Sequence, residues 1–85
     1  MHFVYLIRST SRPNKTYVGM TETVECRLKA HNEGQCPSTS CFRPWELVTY
    51  IAVCSEDQAR KLEQYLKTGS GHAFAHKHLW DSPYR

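Results

Sequence analysis

Two charged residues stand where helices of this chain must bury an apolar face. Over residues 24–31 the i, i+3, i+4, i+7 stripe reads Val24, Arg27, Leu28 and His31. In a later segment the same stripe reads Ala59, Leu62, Glu63 and Leu66. An 85-residue chain buries only about 60–65% of its extended surface, so its core is thin. In such a core a buried polar group is costly, and replacing a buried ion pair by apolar residues is often neutral or better. Two readings follow. Arg27 and Glu63 form a buried ion pair or snorkel from the stripe edge, or they converge with His31 and tyrosines in a functional cleft.

Length also sets the class. One domain, residues 1–85, fits; a dinucleotide-binding unit with a substrate domain does not, nor does an eight-stranded barrel. No apolar run approaches the roughly 20 residues of a membrane span, and the Met1-His2-Phe3 start has no basic leader region. The expectation is a soluble, cytoplasmic protein with no membrane partner. Eleven Lys+Arg against eight Asp+Glu give a net charge of +3, compatible with a polyanionic partner but too small to establish one. Without a secretory signal, Cys26, Cys36, Cys41 and Cys54 are expected as free thiols. Cys36-x4-Cys41 with no second close pair matches structural zinc sites poorly.

The apolar run His2 to Arg8 predicts a strand covered on both faces, and Lys15 to Met20 a second, antiparallel one. Ser9 to Asn14 carries the turn residues between them. A hairpin symmetric about Ser11 sets Tyr5 opposite Tyr17. Thr21 or Thr23 caps a helix over Val24 to His31, which Asn32 and Gly34 stop. Gln35 to Pro44 reads as a polar loop. Trp45 to Val53 is a third strand, again apolar on both faces. Ser55 with Gln58 opens a second helix, running to about Lys67 with a stop at Gly69. A last helix spans roughly Gly71 to Leu79. The order β-β-α-β-α-α implies an α+β fold: a small three-stranded antiparallel sheet with helices packed on it.

If Arg27, His31, Glu63 and the tyrosines converge, their chemistry is that of metal-assisted phosphodiester hydrolysis. One carboxylate, with phosphate and water oxygens completing the shell, suits Mg²⁺ or Mn²⁺ better than zinc. An arginine neutralises phosphate charge in bidentate fashion. Tyrosine or histidine can take a proton from water, although a phenol near pKa 10 needs a neighbouring cation.

At these residues the sequence resembles the GIY-YIG endonuclease family. Phe3-Val4-Tyr5 stands where the first tripeptide belongs and Tyr17-Val18-Gly19 where the second does. Thr21, Arg27-x3-His31-Asn32, Arg43-Pro44-Trp45 and Ala59-x3-Glu63-x3-Lys67 continue the pattern in order. The tail from Lys67 to Phe74 resembles that of small stand-alone bacterial members. The resemblance implies a nuclease domain cutting DNA with one divalent ion, Mg²⁺ or Mn²⁺, held by Glu63. Arg27 would stabilise charge on phosphorus. Tyr5 and Tyr17 take active-site positions, with Tyr17 favoured over Tyr5 as the group that activates water, and His31 assists the base or contacts phosphate. Gly19, Lys15, Arg43 and Lys67 complete the expected substrate-binding set. Three departures stand out: Phe3 replaces the first glycine, Met20 stands where some members carry Lys, and no Asn follows Glu63.

The expected partner is DNA, branched or structured, with a homodimer or an accessory protein supplying specificity. A catalytically weak or inactive nucleic-acid-binding module in DNA repair or recombination is the alternative within the family. A protein-interaction domain, with Arg27 and Glu63 as a structural pair, is the alternative outside it. Other features read as structure: Trp45 and Trp80 as core, Cys26 as a small buried filler. His72-x3-His76 presents two ligands on one helical face, without a third, and reads as an exposed or phosphate-facing helix.

Overall fold

The computed structural model describes residues 1–80. Its elements are β1 (His2–Ser9), β2 (Thr16–Thr21), α1 (Val24–Asn32), α2 (Pro37–Ser40), β3 (Trp45–Val53), α3 (Glu56–Leu66) and α4 (Gly69–His78). The three strands form one antiparallel sheet in the order β2-β1-β3, the α+β architecture expected from the sequence. β1 is central, which is why both of its faces are apolar.

Alternation along β1 divides the core. Val4 and Leu6 are fully buried against Ala59 and Leu66 of α3, Ala75 of α4 and Trp80. Tyr5 and Ile7 turn to the opposite face, with Trp45 and the half-buried Tyr17, Val24, Leu28 and Phe42. Each buried Val, Leu or Ile contributes about 1.5–3 kcal/mol, so this central strand anchors both layers. Ser55 caps α3 as its spacing predicted, its hydroxyl accepting from Gln58 N at 3.2 Å. Gly34 ends α1 with φ +80°, a conformation that favours glycine.

Four expectations are corrected. The hairpin pairs Tyr5 with Gly19 and Ile7 with Tyr17, two residues from the register that faces the tyrosines. Both tyrosines still share one face, because a shift of two preserves strand parity. Residues 37–40, expected as loop, form α2, since Pro37 is tolerated in a first helical turn. Gly69 does not terminate the preceding helix but opens α4, whose cap is Thr68, with its hydroxyl accepting from Gly71 N. Cys26 is exposed, not buried. Trp45 and Trp80 are core, and all four cysteines are free thiols, as expected. No helix among the described residues is long and apolar enough to cross a membrane.

Candidate active site

The apolar stripe on α1 delivers only one buried polar side chain, and it is a histidine. His31 is fully buried, while Arg27, one turn earlier, is exposed. Tyr5 Oη lies 2.8 Å from His31 Nε2, and His31 Nδ1 lies 2.8 Å from Thr39 Oγ1. Thr39 donates its own hydroxyl proton to Cys36 O at 3.3 Å. His31 thus bridges Tyr5 and Thr39, donating from one ring nitrogen and accepting at the other. Arg27 Nε donates to the same Tyr5 oxygen at 3.4 Å. The phenol of Tyr5 is thus held from both sides.

Burial pushes the Tyr5 phenol above its usual value; the Arg27 hydrogen bond offsets only part of this. Burial also lowers the pKa of His31, and the nearby Arg27 charge lowers it further, so the imidazole stays neutral. The sign of the linked pH effect follows. The unfolded chain binds a proton near pH 6.5 that the native chain refuses, so stability is full above that value and falls as pH drops below it. Urea midpoints measured from pH 7.5 to 5 should decline for the wild type, and His31→Gln should flatten that slope. An equal slope in both proteins would remove His31 as its source.

Tyr17 reaches the cluster from β2. Its ring lies 6.2 Å from that of Tyr5 and 5.0 Å, edge-on, from that of His31. It is half-buried, and its hydroxyl makes no hydrogen bond among the described residues. Gly19, directly opposite Tyr5, makes the convergence possible: a Cβ there would lie 2.6 Å from Tyr5 Oη and 3.0 Å from Tyr17 Cε2.

Glu63 arrives from the helix layer on the other face of the sheet. Its side chain is 19% exposed, and Oε2 accepts from Lys67 Nζ at 2.9 Å. Lys67 in turn places its ammonium 5.9 Å from the centre of the Tyr17 ring. β2 is an edge strand, so Lys67 at the end of α3 reaches round it and links the carboxylate to the tyrosine side. The Arg27–Glu63 ion pair does not form among the described residues; Glu63 pairs with Lys67, and Arg27 with Tyr5. Among the described residues, only Nε of the Arg27 guanidinium makes a side-chain hydrogen bond.

A sequence model of the GIY-YIG catalytic domain matches residues 1–75. The chain belongs to the GIY-YIG family. Among curated proteins it is 34% identical to UPF0213 protein SH2523 of Staphylococcus haemolyticus over 70 residues, 81% of this chain and 83% of that one. It is 31% identical to UPF0213 protein YazA of Bacillus subtilis, over 78% of this chain and 66% of that one. It is also 39% identical over 54 residues to Structure-specific endonuclease subunit SLX1 of Debaryomyces hansenii. That match covers 56% of this chain but only 16% of the fungal protein's length.

Within this GIY-YIG domain, Tyr5 bonds His31 and Arg27, Tyr17 packs against Tyr5 and His31, and Gly19 lies under the two tyrosines. Among the described residues, Glu63 is linked to this group only by way of Lys67 beside the Tyr17 ring. Lys15 and Arg43 do not join them. The Lys15 ammonium sits 5.4 Å from the Phe42 ring centre, and Arg43 Nε donates to Ser40 O at 2.8 Å. Both lie where the hairpin turn meets the segment before β3. Thr39, which holds Nδ1 of His31, escaped the sequence reading. Asn32 entered it as a helix stop and beside His31 in the family pattern, but not for the two hydrogen bonds its side-chain amide exchanges with the backbone of Trp45. Thr39 stands in a polar stretch with no periodicity to mark it, whereas Asn32, next to His31, carried a legible signal.

Proposed function

We propose that this chain is a divalent-metal-dependent endonuclease acting on DNA, with Glu63 as the single protein ligand to one Mg²⁺ or Mn²⁺. A phenol bonded to a neutral histidine and an exposed arginine, with a half-buried carboxylate tied by Lys67 to the neighbouring tyrosine at one edge of the sheet, carries this reading. The residues fit the metal. Glu63 offers a hard oxygen donor with only Oε2 engaged, and no group of three His, Cys, Asp or Glu gathers among the described residues to favour a closed transition-metal site. When bound, the ion would act as Lewis acid on the scissile phosphate and neutralise the leaving oxygen.

The chain's own side chains supply the rest. Arg27 binds a non-bridging phosphate oxygen and stabilises the charge that grows there, while its Nε keeps Tyr5 in place. Tyr17 orients and deprotonates the attacking water; its hydroxyl makes no hydrogen bond among the described residues, and the Lys67 ammonium stands beside its ring. Tyr5 is the less suitable base, because burial opposes its ionisation. It holds Arg27, and His31 holds it. The name of the fungal relative favours branched or otherwise structured DNA as substrate. The word subunit in that name, with a net charge of only +3 here, favours a second copy or an accessory protein that grips the substrate.

The test is a panel of linear, flapped, branched and single-stranded DNAs with Mn²⁺ or Mg²⁺, cut by the wild type and two variants across pH. Wild-type nicking should disappear with chelator. Tyr17→Phe should lose about a hundredfold or more in rate while retaining DNA binding, the scale of a missing general base. Tyr5→Phe should keep the alkaline limb of the pH profile and weaken DNA binding through a loosened Arg27. The reverse pattern would exchange the two roles. Salt-sensitive binding with no metal-dependent product on any substrate would favour a nucleic-acid-binding module instead.

A further inference from the structure

Away from the active-site cluster, α4 carries two imidazoles in an arrangement that the cleavage chemistry does not use. His72 and His76 lie one turn apart, both exposed, with Nε2 of one 3.2 Å from Nε2 of the other. Their rings meet edge to face at a centroid distance of 4.6 Å. As a bond between neutral groups this is worth little, because water competes for both nitrogens. As a pair of donors the spacing has another use. With metal–nitrogen bonds of about 2.0–2.1 Å, two nitrogens 3.2 Å apart subtend about 100–106° at a shared ion. That angle lies between the square-planar and tetrahedral values. The i, i+4 spacing on one helix face is also the one by which two histidines chelate zinc.

The helix beneath is well held. Gly71 and Ala75, the residues just before each histidine, are buried, and a Cβ on Gly71 would collide with the backbone carbonyl of Tyr65. Thr68 caps the first turn. The two histidines therefore project from a fixed backbone, and little ordering remains to be done when a ligand arrives. His78 does not share the pair's face: its ring lies 4.8 Å from that of Phe74.

We propose that His72 and His76 form a bidentate site on the exposed face of α4 for an imidazole-preferring divalent ion such as Ni²⁺, Zn²⁺ or Cu²⁺. Water completes the coordination shell. On binding, the proton on the donating Nε2 leaves and Nδ1 becomes the N–H of that ring, so each Nε2 presents a lone pair to the ion. This site is chemically separate from Glu63, whose lone carboxylate suits Mg²⁺ or Mn²⁺. The ion pins one turn of α4 and raises the unfolding temperature by mass action.

The test uses the full chain with any polyhistidine tag removed. Calorimetric titration with NiCl₂ at pH 7.5 should give one equivalent per chain, and a thermal scan with NiCl₂ a rise in midpoint. His72→Ala and His76→Ala should each weaken Ni²⁺ binding by about tenfold or more and abolish that rise, since loss of one arm removes the chelate advantage. His78→Ala and Glu63→Gln should bind Ni²⁺ as the wild type does. MgCl₂ should shift the midpoints of the wild type and His76→Ala by the same amount. Far-ultraviolet circular dichroism confirms folding, which alanine at an exposed helical site favours. Ni²⁺ binding that survives both substitutions, or none in the wild type at millimolar metal, would overturn the assignment.

Discussion

Glu63→Gln should cut DNA about a thousandfold more slowly than the wild type, or not at all, while unfolding at nearly the same temperature. The amide keeps the size of the side chain and an oxygen that can still accept from Lys67. It removes the negative charge, and with it the one hard anionic donor proposed for the metal. Several kcal/mol of transition-state stabilisation depend on a bound ion of this kind, and each 1.4 kcal/mol is a factor of ten in rate. Stability should hardly change, because an i, i+4 pair on a helix surface contributes only about 0.3–0.5 kcal/mol. Parallel measurement of single-turnover rate and thermal midpoint separates the two effects. Equal cleavage by wild type and variant would sink the metal assignment.

A methyl group at Gly19 should damage both stability and activity. The added Cβ would lie 2.6 Å from Tyr5 Oη and 2.7 Å from Tyr5 Cζ. Tyr5 cannot swing clear. Its side chain is 1% exposed, and its hydroxyl is bonded to His31 and Arg27. Overpacking of this sort costs about 1–3 kcal/mol, and a broken Tyr5–His31 bond in the interior adds about 1–3 kcal/mol more. For a chain of this size that combined loss lowers the thermal midpoint by at least about 10 °C. A displacement of about 1 Å at a reacting group can also cost a hundredfold in rate. Adding Tyr5→Phe to Gly19→Ala removes the oxygen at the closest contact, so the double variant should recover part of the stability but none of the rate. If Gly19→Ala melts and cuts as the wild type does, the close approach of Tyr5 to β2 is not what the site depends on.

Both variants act at positions that could be named from the chain alone, yet their effects rest on neighbours that could not. The two tripeptides mark Tyr5, Tyr17 and Gly19, and the helical stripes mark Arg27, His31 and Glu63. Which of these touch was not legible. The stripe rule placed Arg27 inward, whereas α1 buries only His31 and leaves Arg27 at the rim. Glu63 pairs with Lys67 on its own helix, so the charge on the apolar stripe is balanced locally and not across the core. Lys15 and Arg43, expected with the substrate-binding set, meet Phe42 and Ser40 instead of the tyrosine cluster, which a position in the chain does not reveal.

What the chain determined by itself is local. Apolar residues on both faces of residues 2–8 require a strand covered on two sides, and β3 begins and ends where the apolar run 45–53 does, although one of its faces leaves Tyr50 exposed. Ser55 with Gln58 sets the start of α3, and Gly34 the end of α1, because caps and left-handed stops act within a few residues. Only the tertiary structure decided the hairpin register, which turns on inter-strand bonding and turn geometry together. It also decided that four residues after Cys36 make a helical turn, which is too short to show a period. That turn carries Thr39 to Nδ1 of the buried His31, and so holds the imidazole whose Nε2 meets Tyr5. Sequence spacing encodes which face a side chain takes; the partner it meets there depends on elements far away along the chain.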